Sequence, residues 1–351
     1  MGLKILHSAD WHLDSPFSSF SEEQRAILRR AQAQLPGKIA DLCRRESCDL
    51  VLLAGDLFDG EAARETVEIL KEALKACCVP VFISPGNHDF CGPGSPWLEE
   101  RWPENVHVFT GGLESVVLPE LDCRVYGAGY KSMDCPGLLE GFRAEGKERY
   151  CVAVLHGDPA VKNSPYCPVT SAQVRDSGLD YLALGHIHKA GVFRAGATLC
   201  AWPGCPMGRG WDETGEKGVC VVTLGDTAEI QAVTLDTQCF YEQEVDIGED
   251  AAAALEGVLP GAGSEDFYRV TLTGTGTVDI PSLQKQFAGF PNLELRDRTE
   301  EPIDLWADAG EDTLRGTYFR LLQEKAREDP RARLAAEISQ KLLSGREVRL
   351  P

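Results

Sequence analysis

The chain has 351 residues, 43% of them hydrophobic, and a formal net charge of −20. That length suits two or three units rather than one, and the apolar content is enough for an ordinary globular core. The charge argues against a protein that grips nucleic acid unaided, since residues 201–300 carry 6 basic and 18 acidic side chains.

From the amino terminus, Met1-Gly2-Leu3-Lys4 runs straight into "ILHSADWH", without the basic-then-apolar order of a secretory leader. No run reaches the roughly 18 apolar residues of a membrane span. Gly2 fits a myristoylation signal poorly, because Leu6 stands where Ser or Thr is needed. The thirteen cysteines form no CxxC pair, and many sit inside apolar runs such as "KACCVPVFI". They read as small buried hydrophobes in a reducing compartment. A cytoplasmic protein with no membrane partner is expected.

The first two-thirds alternates short apolar runs with helical stretches. "LKILHSA" predicts a strand, then "EEQRAILRRAQAQL" and "PGKIADLCRRES" predict two helices. "DLVLLAGD" is a second strand, "ARETVEILKEALKAC" a helix, and "VPVFISPGNHD" a third strand. "CRVYGAG", "RYCVAVLHG", "DYLALGH", "GVCVVTLGD" and "IQAVTLD" follow as strands. Val/Leu/Ile-rich strands alternating with helices imply an α/β fold whose sheets are covered by helices. In such sheets, loops at the carboxyl ends of strands build the site.

From about residue 240 the rhythm changes. "FYEQEVDIG", "EDAAAALEGVL", "DFYRVTLTG", "DIPSLQKQFAGF" and "NLELRDRT" predict a compact β-α-β-α-β unit. Residues 311–344 hold two helical stretches parted by "DPRA". The expected division is 1–238, 239–303 as a small α+β cap, and 304–351 as a helical tail. Leu314, Tyr318, Leu321, Leu322 and Lys325 recur at helical spacing, as do Leu334, Ile338 and Leu342. Each tail helix therefore has an apolar stripe, to pack on the chain's own domains or to dock on a partner.

Five apolar runs each end in groups suited to metals. They deliver Asp10 and His12, then Asp56, then Asn87, His88 and Asp89, then His156, then His186 and His188. In a strand, His186 and His188 share one face, close enough to share a guest. Imidazoles, carboxylates and an amide oxygen without thiolate suit manganese or iron, with zinc also open. A site of this kind holds two ions about 3.5–4 Å apart and activates a water for attack on phosphorus. His7 and His107 fall within apolar strand patterns and read as structural. Arg209 reads as a solvated loop arginine.

These motifs resemble those of the calcineurin-like metallophosphoesterases: DxH, GDxxD, GNHD, a lone histidine and GHxH. Here they are "DWH" at 10–12, "GDLFD" at 55–59, "GNHD" at 86–89, His156, and "GHIH" at 185–188. "ILHSADWHLDSPF", "LLAGDLFD" and "WPGCPMGRGWDETGEKG" are similar to the DNA repair exonuclease branch, which includes the SbcD-type nuclease subunit and shorter bacterial relatives. The resemblance covers roughly residues 3–225. It implies a two-sheet sandwich flanked by helices and a metal-dependent DNA exo- or endonuclease, with a small-substrate phosphodiesterase or nucleotidase as the alternative. It implies one ion on Asp10, His12, Asp56 and His188, and a second on Asp56, Asn87, His156 and His186. His88 would face the scissile phosphate and Asp59 would orient it, unless Asp59 only starts a helix. Asp89 would fix a loop. The implied partners are DNA (single-stranded or duplex ends) and an SMC-like ATPase subunit, with a homodimer also open.

Overall fold

Side-chain alternation along the first strand divides the core. In Leu3–Ser8, Leu3 and Ile5 enter one apolar cluster while Leu6 enters another on the opposite face. The computed structural model describes residues 2–261, 264–345 and 348. The first of its two compact units comprises residues 1–242 and 265–268 and contains two six-stranded sheets.

In one sheet the order is Ala228–Thr234, Gly218–Leu224, Leu3–Ser8, Leu50–Leu53, Val81–Ile83, Val106–Val108. The other runs Glu114–Leu118, Cys123–Gly127, Tyr150–His156, Tyr181–Gly185, Thr198–Trp202, Gly191–Ala195. The strands from Leu3–Ser8 to Val106–Val108 are parallel, as are the four from Cys123–Gly127 to Thr198–Trp202. Their carboxyl ends therefore lie together on one side of each sheet. Ile5, Leu52, Phe82, Val125, Val154, Ala183 and Val222 fill the layer between the sheets. This is the α/β two-sheet sandwich that the sequence predicts. His7 lies within that layer, its Nδ1 2.7 Å from the Tyr181 hydroxyl and its Nε2 3.1 Å from the Leu184 carbonyl.

One expectation is corrected. The two helices predicted on either side of Pro36 are a single helix, Glu22–Arg45. It starts on a capping box, Ser21 with Gln24. Proline inside a helix removes one backbone bond and crowds the preceding turn, a cost of about 3 kcal/mol. Here Leu28, Ala31, Leu35, Ile39 and Leu42 form one buried stripe that continues through Pro36. Burial is worth about 1.5–3 kcal/mol for each large aliphatic side chain, so one uninterrupted face outweighs the lost bond. Helix Arg64–Ala76 covers the same sheet face through Val67, Leu70 and Leu74. Strands Glu114–Leu118 and Gly191–Ala195, absent from the predicted pattern, are edge strands with mostly water-facing side chains.

The second unit comprises residues 243–264 and 269–351. The three-stranded sheet Phe240–Asp246, Phe267–Thr273, Leu293–Asp297 carries helices Ala251–Glu256 and Ile280–Gln286, in the predicted β-α-β-α-β order. Val245, Leu255, Val270, Leu272, Leu283 and Leu295 form its core. Tail helices Leu314–Lys325 and Pro330–Leu343 pack on each other around Phe319, Ala336 and Ala309. Of the predicted stripes, Leu322 joins that small core, whereas Leu314, Tyr318, Leu321, Leu334 and Leu342 stay exposed. No helix among the described residues is long and apolar enough to cross a membrane. All thirteen cysteines are free thiols, and of these Cys78 is exposed and Cys151 half-buried.

Candidate metal centre

The carboxyl ends of five parallel strands, three from one sheet and two from the other, bring the candidate residues together. Asp10 and His12 follow Leu3–Ser8, Asp56 follows Leu50–Leu53, and Asn87 and His88 follow Val81–Ile83. His156 ends Tyr150–His156, and His186 and His188 follow Tyr181–Gly185. The backbone is strained where these side chains turn inward. Asp10, His12, Asp56 and His186 have φ of 56°, 47°, 51° and 95°, in the region that side chains other than glycine avoid. Such conformations cost about 1–3 kcal/mol each and persist only where neighbours enforce them. The enforcing bonds run between the loops: Asp10 N donates to Gly55 O at 3.0 Å and His12 N to Asp56 O at 2.9 Å. His186 N donates to Asp10 Oδ1 and His88 N to Asp56 Oδ1, both at 2.9 Å. Gly86 has no alternative, since a Cβ there would lie 2.8 Å from His156 Cγ and closer still to Asp56 Oδ1.

The donor atoms form overlapping groups: Asp10 with His12 and His188, Asp10 with Asp56 and His156, and His12 with Asp56 and His88. Asp56 Oδ2 lies 3.3 Å from His156 Nε2 and 3.8 Å from His12 Nε2, between the two halves. Three observations show that a cation fits. His12 Nε2 and His188 Nε2 face each other at 3.2 Å. Each ring uses its Nδ1 on a carboxylate, His12 on Asp59 at 3.2 Å and His188 on Glu213 at 2.6 Å. The two Nε2 lone pairs thus point into one space. Second, His156 Nδ1 lies 2.9 Å from the Ala54 carbonyl and donates to it. Its Nε2 then faces two acceptors, Asn87 Oδ1 at 3.0 Å and Asp56 Oδ2. Without a metal, a proton must fill that gap: burial opposes it, yet the Asp56 charge lifts His156 to about 9. Third, Asp10 Oδ2 is buried with no hydrogen-bond partner, and burial raises its carboxyl. Lone pairs of this density in a largely buried cleft suit a divalent cation with nitrogen and oxygen ligands.

His186 stands slightly apart. Its ring lies edge-on to His156, 5.2 Å between centroids, and against Tyr166 at 4.7 Å. Burial and the neighbouring His156 lower it to about 4, so its ring is neutral and keeps a lone pair available.

His88 is the open edge of the cluster, its side chain 45% exposed. Its Nδ1 lies 3.1 Å from Asp59 Oδ1, which raises its pKa above the usual histidine value. Asp59 takes both His12 and His88 on the same oxygen and Ser15 Oγ on the other at 3.0 Å. Those partners hold its carboxyl well below the usual range. Asp89 accepts four backbone N–H groups. Gly86 and Asp56 donate to Oδ1 at 2.7 and 3.2 Å, and Leu57 and Phe58 to Oδ2 at 2.8 and 3.4 Å. It ties the Asp56 loop to the Asn87 loop.

Two site residues escaped the sequence reading. Arg209, expected in solvent, is folded back so that Nη2 reaches Glu213 Oε1 at 2.8 Å and lies 3.1 Å from His188 Nδ1. Glu213 lies inside the stretch "WPGCPMGRGWDETGEKG", whose family likeness carries no role for this residue.

Residues 3–190 match the calcineurin-like phosphoesterase family. The chain is 36% identical over 244 residues to the uncharacterized metallophosphoesterase YhaO of Bacillus subtilis (strain 168), covering 64% of this chain and 58% of that one. It is 25% identical over 270 residues to the DNA double-strand break repair protein Mre11 of Aeropyrum pernix, 70% of this chain and 64% of that one. It is 29% identical over 170 residues to the 3',5'-cyclic adenosine monophosphate phosphodiesterase CpdA of Haemophilus influenzae, 47% of this chain and 58% of that one. In each case the match spans less than two thirds of the relative's own length. The strand-end cluster and the match over more than half the sequence lead to one conclusion: the chain belongs to the calcineurin-like phosphoesterase family.

Proposed function

We propose that the chain is a dinuclear-metal phosphodiesterase that hydrolyses DNA phosphodiester bonds. The observation that carries the chemistry is the placement of Asp56 between two groups of unneutralised nitrogen and oxygen donors, with a half-exposed imidazole beside them. One ion would be held by Asp10, His12, Asp56 and His188, the other by Asp56, Asn87, His156 and His186. Manganese suits this ligand set best, with iron and zinc as the other candidates. The bound pair would supply a water of lowered pKa and neutralise charge on the phosphoryl oxygens. His88, whose pKa the hydrogen bond with Asp59 raises, would in its protonated form donate to the phosphoryl group or to the leaving oxygen from its exposed side. Asp59 holds that imidazole in place through Nδ1, leaving Nε2 free to face substrate.

The similarity to a DNA double-strand break repair protein favours DNA as substrate. A chain of net charge −20 has little cation to spare for phosphates, so duplex binding would rest on a second protein of the SMC-like ATPase kind. The outward-facing Leu314, Tyr318, Leu321, Leu334 and Leu342 of the tail would be its docking face. The similarity to a cyclic-nucleotide phosphodiesterase supports the second reading, a small-substrate enzyme without a DNA partner. Hydrolysis of single-stranded DNA, bis-p-nitrophenyl phosphate and cyclic nucleotides with added manganese separates the two. DNA as the preferred substrate is expected. Preference for a cyclic nucleotide would select the alternative, and activity indifferent to chelator would overturn both.

A further inference from the structure

Glu213 is 5% exposed and belongs to none of the strand-end motifs. Its carboxylate nevertheless gathers four donors. Arg209 supplies its backbone N–H and Nε to Oε2 at 2.8 and 3.4 Å, and Nη2 to Oε1 at 2.8 Å. His188 Nδ1 is the fourth, 2.6 Å from Oε1. Arg209 Nη2 is also 3.1 Å from that Nδ1, so two proton arrangements compete on paper. If Arg209 donated to Nδ1, the ring's proton would sit on Nε2 and point at His12 Nε2. A bare Nδ1 would then oppose a carboxylate oxygen at 2.6 Å, where two acceptors repel. The short distance therefore requires the proton on Nδ1, and Arg209 is close only because it shares Oε1.

We propose that Glu213 is a positioning residue: it fixes the Nδ1–H tautomer of His188, and with it the Nε2 lone pair aimed at the metal centre. Arg209 locks the carboxylate from the other side, so the acceptor of the His188 Nδ1–H is itself held in place. His12 is held likewise by Asp59, whereas His156 leans on the carbonyl of Ala54. A carboxylate behind a metal-binding imidazole raises its basicity and typically accounts for about 10–100-fold in metal affinity. This inference rests on the dinuclear reading above.

Glu213→Gln must place an NH2 group against a donor of Arg209 in either amide orientation. With the NH2 toward His188 the ring is drawn to the Nε2–H tautomer, and with the oxygen there the ring loses the negative charge that raises its basicity. Manganese binding is measured by equilibrium dialysis, with electron paramagnetic resonance on the same samples. The expected result is two ions on the wild type and an affinity about 10–100-fold weaker for one of them in the variant. The signal of a spin-coupled pair should give way to that of an isolated ion. The tautomer is read independently, in the chelator-treated wild-type protein, by long-range 1H–15N correlation at His188. A ring protonated on Nδ1 is expected, and one with a bare Nδ1 and its proton on Nε2 would overturn the inference even if the variant failed to fold. Two ions of unchanged affinity in Glu213→Gln would overturn it as well, leaving the dinuclear reading intact. A wild type that binds no manganese would sink that reading first.

Discussion

Asp89→Asn is the most informative change outside the ligand set, because its consequence can be counted. The carboxylate is buried and gives each oxygen to two backbone N–H groups. Burial and the nearby Asp56 push this carboxyl up to about 7, against the pull of those amides. An asparagine keeps the shape but turns one oxygen into a donor, which then faces two N–H groups that have no other acceptor there. Each buried amide left unpaired costs about 1–3 kcal/mol, so the loss is about 2–6 kcal/mol. For a folded unit of this size, 1 kcal/mol moves Tm by about 2–4 °C. Scanning calorimetry in chelator should therefore show Tm falling by at least about 4 °C. Added manganese should raise Tm in both proteins without closing the gap, since ions bound only to the folded chain stabilise each in proportion to ln(1 + [L]/Kd). An unchanged Tm in chelator would refute the view that these four amides depend on a single carboxylate.

Other expected outcomes concern separate parts of the molecule. His7 is buried in neutral form, its pKa lowered to about 3 by desolvation, while the unfolded chain protonates near 6.5. Its folded value is depressed, so stability is intact above pH 6.5 and is lost as pH falls toward 3, by about 2 kcal/mol between pH 6.5 and 5. Denaturant titrations of wild type and His7→Gln should diverge over that window, and parallel curves would contradict the assignment. His88→Ala should retain its metal by elemental analysis while turnover falls about 10²–10⁴-fold; loss of an ion would instead make His88 a ligand. Asp59→Asn preserves the hydrogen-bonding shape but removes the charge that raises His88. The basic limb of the pH–rate profile should then shift to lower pH, and an unmoved limb would exclude this coupling. Truncation after residue 303 removes the tail helices with their own small core. Activity on a small diester should survive while co-purification with an ATPase partner is lost; intact co-purification would rule out docking through the tail.

The sequence announced the centre because its signals are local. Asp10, Asp56, Asn87, His156 and His186 each follow a short apolar run within a few residues, and parallel pairing brings such ends together. The continuity of Glu22–Arg45 was hidden because Pro36 is a strong local signal. The sheet that overrides it is assembled from distant strands. The contact of Glu213 with His188 spans 25 residues and depends on the path of an irregular loop, which periodicity does not encode. The same holds for Asp59. Its place as the last residue of "GDLFD" carried the family resemblance, but its second partner, His12, is 47 residues away.

The centre also lies on the seam between two sheets, with His12 and His188 separated by 176 residues yet 3.2 Å apart. An ion gripped by both would act as a removable crosslink across half the chain. Closing so long a loop costs about 2 kcal/mol more entropy than closing one of about 20 residues. A bound ion would thus withhold that freedom from partly opened states. Loading should accordingly slow protease nicking of both sheets together, and chelation should release them together.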